Sequence, residues 1–129
     1  MRRKIIVLIT AMLLVGSMSM VTALAGTMSG SYSTSTKQKV GTAYNSSGEY
    51  KTAYGRLTPG ATSPAAKLQI CNSNGTVVKA TGTYSASSPN TNNTTCQIAD
   101  GETLSFYVKP VVSNQYVWGS ESHGILPES

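Results

Sequence analysis

The sequence predicts an all-β fold, an antiparallel β-sandwich, immunoglobulin-like or similar, of seven to eight short strands stapled by one disulfide. Three observations predict it. After the first 25 residues Thr, Ser, Gly, Tyr and Val dominate and Leu is scarce, a composition that suits strands and turns and leaves few helix signals. Apolar and polar residues alternate: in "ETLSFYVKP", Leu104, Phe106 and Val108 fall on one face and Thr103, Ser105, Tyr107 and Lys109 on the other. Turn residues recur at short, regular intervals.

Each strand follows from these rules in order. "GTMSGSYSTST" opens the domain, and "QKVGTAY" follows it. Asn45-Ser46-Ser47-Gly48 is read as a hairpin turn into "EYKTAYGRL", where Ala53 and Leu57 face the core and Gly55 leaves room between them. The longer "TPGATSPAA" carries the chain between sheets to "AKLQIC", with Leu68 and Ile70 inward. Asn72-Ser73-Asn74-Gly75 turns the chain into "TVVKATGTY", and the polar "SASSPNTNNTT" makes a second crossing. Asp100-Gly101 is read as the hairpin between "TCQIA" and "ETLSFYVKPVV", and Ser113-Asn114 precedes "QYVWG". "YNSSGEYKTAYG" and "CNSNGTVVKATG" echo one another at their turn residues but not at their strand residues, which indicates two turns of one type.

The chain begins with an export signal pattern. Arg2, Arg3 and Lys4 precede the uncharged run Ile5–Val15, and Ala23-Leu24-Ala25 supplies small residues before a cut between Ala25 and Gly26. An apolar run of about ten residues is too short to span a bilayer comfortably. The expectation is a cleaved signal peptide over residues 1–25 and a single secreted β domain over 26–129 with a polar C-terminal tail. Three of the ten basic residues lie in the leader, so the formal charge falls from +5 to +2 on its removal. Lys37, Lys39, Lys51, Arg56, Lys67, Lys79 and Lys109 are spread along the sequence, which argues against a nucleic-acid partner. No membrane association is expected once the leader is gone.

In an oxidising compartment the two cysteines, Cys71 and Cys96, are expected to pair. A bond closing that loop would stabilise the fold by about 3–4 kcal/mol on chain-entropy grounds. No metal or cofactor is called for, since the five carboxylates and the single His123 do not cluster near either cysteine. His123 lies in "GSESHGILPES" and is read as a solvated tail residue, a poor platform for a triad with Ser120, Glu121 or Ser122. Asp100 and Glu102 flank a turn glycine with no partner acid facing them across a cleft. No catalytic residue and no enzymatic activity is expected. Asn45, Asn74, Asn92 and Asn93 begin glycosylation sequons.

The aromatics carry the functional expectation. Tyr44, Tyr50, Tyr54, Tyr107, Tyr116 and Trp118 form a candidate ligand platform for a protein or glycan at a cell surface. Tyr50 and Tyr54, at even spacing, would share a strand face with Tyr44 across the hairpin, and Tyr116 and Trp118 would share a face of the last strand. "IADGETLSFYVKP" resembles the turn-then-strand segment of immunoglobulin-like and fibronectin-type modules. The layout of leader and Ser/Thr/Tyr-rich strands is similar to small secreted β-sandwich proteins of Gram-positive bacteria. The expected function is a secreted, non-catalytic binding or surface-interaction protein. The alternative is a secreted antibacterial or toxin-like effector.

Overall fold

The computed structural model describes residues 22–23, 26–81 and 92–127. Among them there are nine strands and no helix: β1 (Thr22–Ala23), β2 (Gly26–Thr34), β3 (Gln38–Tyr44), β4 (Lys51–Pro59), β5 (Ala66–Cys71), β6 (Val77–Ala80), β7 (Asn92–Ile98), β8 (Thr103–Pro110) and β9 (Val117–Ile125). They form two facing sheets with strand orders β1-β3-β8-β5-β6 and β2-β9-β4-β7. The sandwich expected from the alternation is therefore present. β1 pairs parallel with β3 and lies in the segment read as a leader, most of which falls outside the described residues. All other pairings are antiparallel, and without β1 four strands face four.

From β2 onward the chain changes sheet at every connection except β5 to β6, and the resulting order is that of a jelly roll. Asn45–Gly48 and Asp100–Gly101 are thus arches from one sheet to the other, where hairpins were expected, while Asn72–Gly75 is a true hairpin. Turn residues report local backbone conformation, not which sheet the next strand joins. The echo between the two Asn-Ser segments has this origin. Asn45 Oδ1 accepts the Ser47 N–H at 3.0 Å and Asn72 Oδ1 accepts the Asn74 N–H at 2.9 Å. Each turn then passes through a glycine at positive φ, 88° at Gly48 and 85° at Gly75.

The core lies between the sheets. Leu104, Phe106 and Val108 of β8 meet Leu68 and Ile70 of β5 from one side, and Ala53, Leu57, Ile98, Val117 and Ile125 close it from the other. These side chains are fully or almost fully buried, each contributing about 1.5–3 kcal/mol of transfer free energy for the larger ones. Leu68 fills the place that a side chain at Gly55 would need, its Cδ2 lying 2.5 Å from the position of a Cβ there. Gly55 therefore leaves room, as expected from its place between Ala53 and Leu57.

Tyr32 is the polar exception on the inner face of β2. It is buried, and its hydroxyl has no hydrogen-bond partner. Burial pushes its phenol up from 10.0 to about 12. A folded value above the unfolded one means that the neutral ring's contribution is present below pH 10.0 and fades as pH rises towards about 12. Tyr32→Phe is expected to abolish that alkaline loss and to gain about 1 kcal/mol at neutral pH by removing an unpaired buried hydroxyl. Urea melts at pH 7 and through the alkaline window check both; a less stable Phe variant at pH 7 would show that the hydroxyl is paired.

Candidate functional site

Strand parity decides which side chains reach solvent. On the four-stranded sheet the inward positions are taken by Tyr32, Ala53, Leu57, Val117, Glu121, His123 and Ile125. The intervening residues therefore form one outer face. β2 contributes Thr27, Ser29, Ser31 and Ser33, and β9 contributes Trp118, Ser120 and Ser122. β4 adds Thr52, Tyr54, Arg56 and Thr58, and β7 adds Asn93, Thr95 and Gln97. This surface is dense in hydroxyls, and these positions hold no carboxylate and no large aliphatic side chain.

Its ends are aromatic. Tyr116, just before β9, packs its ring 5.7 Å from that of Trp118 at a tilt of 31°, and its hydroxyl bonds Ser33 Oγ. Gly60 lies beneath the Trp118 indole, where a Cβ would approach Cδ1 to 2.6 Å. At the other end Tyr54, opposite Gly124 and Thr95, donates its hydroxyl to Asn93 Oδ1 at 3.3 Å. Trp118 and Gly124 are six residues apart on β9, so the two aromatic ends stand about 20 Å apart. Between them Ser29 and Ser122 share a hydrogen bond of 3.0 Å. Arg56 sits at the middle of the face, across from Ser122 and Asn93. Its Nε is sealed from solvent and has no hydrogen-bond partner.

The six expected platform aromatics are divided among three places. Tyr54, Tyr116 and Trp118 share the face just described. Tyr44 and Tyr107 lie on the outer face of the five-stranded sheet, where Tyr44 pairs with Thr103 and Tyr107 with Lys39. Tyr50 precedes β4 on the arch from residue 45 and is 63% exposed. The expected row of Tyr44, Tyr50 and Tyr54 does not form, because β3 and β4 belong to different sheets. The hydroxyl rank and Arg56 were not anticipated, although Ser29, Ser31 and Ser33 alternate with Met28, Gly30 and Tyr32 in a pattern that marks one polar face.

The expected disulfide is absent: Cys71 and Cys96 are free thiols. Leu68 and Ile70 point inward, so Cys71, one residue on, points away from the sandwich interior, opposite Ser105. There its sulfur lies 3.9 Å from Lys37 Nζ. Cys96 pairs with the core residue Ala53 and packs inward against the core. The five-stranded sheet separates the two sulfurs. Burial pushes the Cys96 thiol up, with the Glu102 carboxylate adding to the effect. Reducing agent is therefore expected to leave the melting temperature unchanged, and two thiols per chain should titrate on unfolding in the absence of reductant. A melting temperature that falls on reduction would contradict the assignment.

His123 is likewise not the solvated tail residue expected. It lies on β9, an interior strand of the four-stranded sheet, and is buried with Glu121, its Nδ1 2.7 Å from Glu121 Oε1. Ser120 and Ser122 face outward, so the sheet divides them from the imidazole. Asn45 is buried and bonded through its whole amide, while Asn74 and Asn93 are exposed. Among the described residues no group of three or more His, Cys, Asp or Glu side chains is placed to hold a metal.

No protein-family model matches the chain, and no curated protein matches it. Among solved structures it is similar to part of the insecticidal delta-endotoxin Cry8Ea1 from Bacillus thuringiensis, with 15% identity and a TM-score of 0.41. The match covers 77% of this chain but 20% of the toxin chain. A likeness of that size bears on neither activity nor target.

Proposed function

We propose that this protein is an exported, non-catalytic binding module that holds a glycan on the outer face of its four-stranded sheet. The observation that carries this reading is the composition of that face: aromatic rings at both ends, hydroxyls between them, and an unpaired arginine at the centre. Sugar rings offer apolar C–H faces that stack on Trp and Tyr, and hydroxyls that exchange hydrogen bonds with Ser, Thr, Asn and Arg. A protein partner would call for an apolar centre, and this face has hydroxyls there. A span of about 20 Å between the aromatic ends suits an extended chain of several sugar units rather than one monosaccharide.

The test is retention of the purified protein on insoluble polysaccharides, with Trp118→Ala and Tyr54→Ala as variants. Each is expected to weaken retention at least tenfold while the variant still melts cooperatively above the assay temperature. Retention that survives both substitutions would place the binding surface elsewhere.

A further inference from the structure

The opposite face of the molecule gathers positive charge. Lys67 and Lys109 stand directly across from one another in the β5–β8 register, and Lys39 stands across from Tyr107. Lys37, just before β3, extends over the same face: its Nζ lies 4.7 Å from the centre of the Tyr107 ring and 3.9 Å from Cys71 Sγ. Four lysines spread along the sequence are thus brought onto one sheet face. None of them makes an ion pair among the described residues, where the pairs recorded are Lys51–Glu49 and His123–Glu121. A cavity of about 200 Å³ opens beside Lys37 and Lys109, lined further by Ser35, Thr36, Ser113 and Asn114, with no acid on its wall. Glu49, Asp100 and Glu102 sit on the arches at the far end of the sheet from Lys67 and Lys109.

Like charges directly opposite one another weaken a sheet. The Lys67–Lys109 pair breaks a local rule with no compensating acid, a pattern associated with functional sites. An anion seated between the two ammonium groups would remove the repulsion.

We propose that the lysine face of the five-stranded sheet binds a sugar or polyol polymer bearing tetrahedral oxyanions, phosphate or sulfate esters, repeated along its chain. Four lysines and no arginine suit a tetrahedral oxyanion met by point charges better than a planar carboxylate met by a bidentate fork. Lys67 and Lys109 face one another on neighbouring strands about 4.8 Å apart, and the Lys37 ammonium lies farther along the same face beside Tyr107 and Cys71, so the three can meet successive esters of one chain. Nucleic acid is disfavoured because stacking successive bases needs open aromatic rings along the basic track, whereas the Lys37 ammonium covers the Tyr107 ring and the exposed Tyr44 lies opposite Thr103, at the far end of β8 from Lys109. This surface is separate from the aromatic face of the other sheet, and Trp118→Ala should leave it intact.

The experiment measures affinity of the purified protein for poly(glycerol phosphate) and for heparin at low and high salt. Parallel arms use a DNA oligonucleotide and phosphatidylglycerol vesicles. Saturable binding to at least one of the first two is expected, falling at least tenfold between low and high salt and at least tenfold in Lys67→Gln/Lys109→Gln. The two polymers distinguish phosphate from sulfate as the preferred ester. Without ligand at low salt, the double variant is expected to melt at or above the wild-type temperature. Should it fail to fold, protection of Lys67 and Lys109 from acetylation by the bound polymer in the wild-type protein gives the same answer. Absence of binding to both polymers, binding indifferent to the double substitution, unprotected lysines, or tighter binding to DNA or vesicles would overturn the proposal.

Discussion

Glu121→Ala is expected to lower folding stability by about 3–5 kcal/mol, the range for removing one partner of a buried pair. The side chains of Glu121 and His123 retain only 2% and 6% of their exposure, and both project from the middle of β9 into the sandwich. Nothing small surrounds them by accident. A Cβ at Gly41 would lie 2.1 Å from His123 Nε2, and one at Gly30 would lie 3.0 Å from Glu121 Oε2. The imidazole also packs against Phe106, ring centres 5.2 Å apart. Truncating Glu121 leaves His123 Nδ1 without its acceptor where the recess is too tight for easy relaxation. Glu121→Gln keeps an acceptor oxygen and is expected to lose less. Denaturant melts of the two variants check this, and an alanine variant within 1 kcal/mol of wild type would show that solvent readily replaces the carboxylate.

Asn45→Ala is expected to lose about 3–4 kcal/mol, from four hydrogen bonds near 1 kcal/mol each. Asn45 is 1% exposed. Its Nδ2 donates to the Glu49 carbonyl at 2.7 Å and to the Ile98 carbonyl at 2.9 Å. Its Oδ1 accepts from the Ser47 N–H at 3.0 Å and from the Ser47 hydroxyl at 2.7 Å. The backbone joins in, with the Gly101 N–H donating to the Asn45 carbonyl and the Asn45 N–H to that of Glu102. One buried amide thus ties the β3–β4 arch to the β7–β8 arch, at the rim where the chain twice passes between sheets. Ser47→Ala, which removes only the hydroxyl, is expected to lose about 1 kcal/mol by the same scale. Thermal and urea melts of both variants test the ranking; equal losses would mean that the bonds to Ile98 and Glu49 contribute little.

The inward faces of the strands were legible because burial imposes a period of two. Leu68, Ile70, Leu104, Phe106 and Val108 all sit where alternation put them. Sheet membership was not legible, since an Asn-Ser-x-Gly turn looks alike whether it closes the β5–β6 hairpin or arches from β3 to β4. The tyrosine row failed for that reason. The disulfide expectation failed for a different one. Parity was available at both cysteines: Cys71 follows inward Ile70 and must point outward, while Cys96 is two residues from inward Ile98 and points inward. Compartment chemistry favoured a bond that strand geometry forbids. His123 was misread because polar neighbours at Ser120 and Ser122 resemble a solvated tail, although they are the outer half of an alternating strand. The lysine cluster depends on register across three strands, which no single stretch of sequence displays.

The measurement that bears most directly on the proposed glycan face is a fluorescence titration, because Trp118 is the only tryptophan in the chain. Its indole is half-buried beside Tyr116 at one end of the hydroxyl face. Soluble oligosaccharides of increasing length from the polysaccharide that retains the protein should give a saturable shift in Trp118 emission. The midpoint concentration is expected to fall with length until the chain spans both aromatic ends, about 20 Å, and to rise at least tenfold in Tyr54→Ala at the far end. Emission that stays constant in a folded protein across the whole series, or a midpoint indifferent to both chain length and Tyr54, would contradict a glycan lying along the four-stranded sheet.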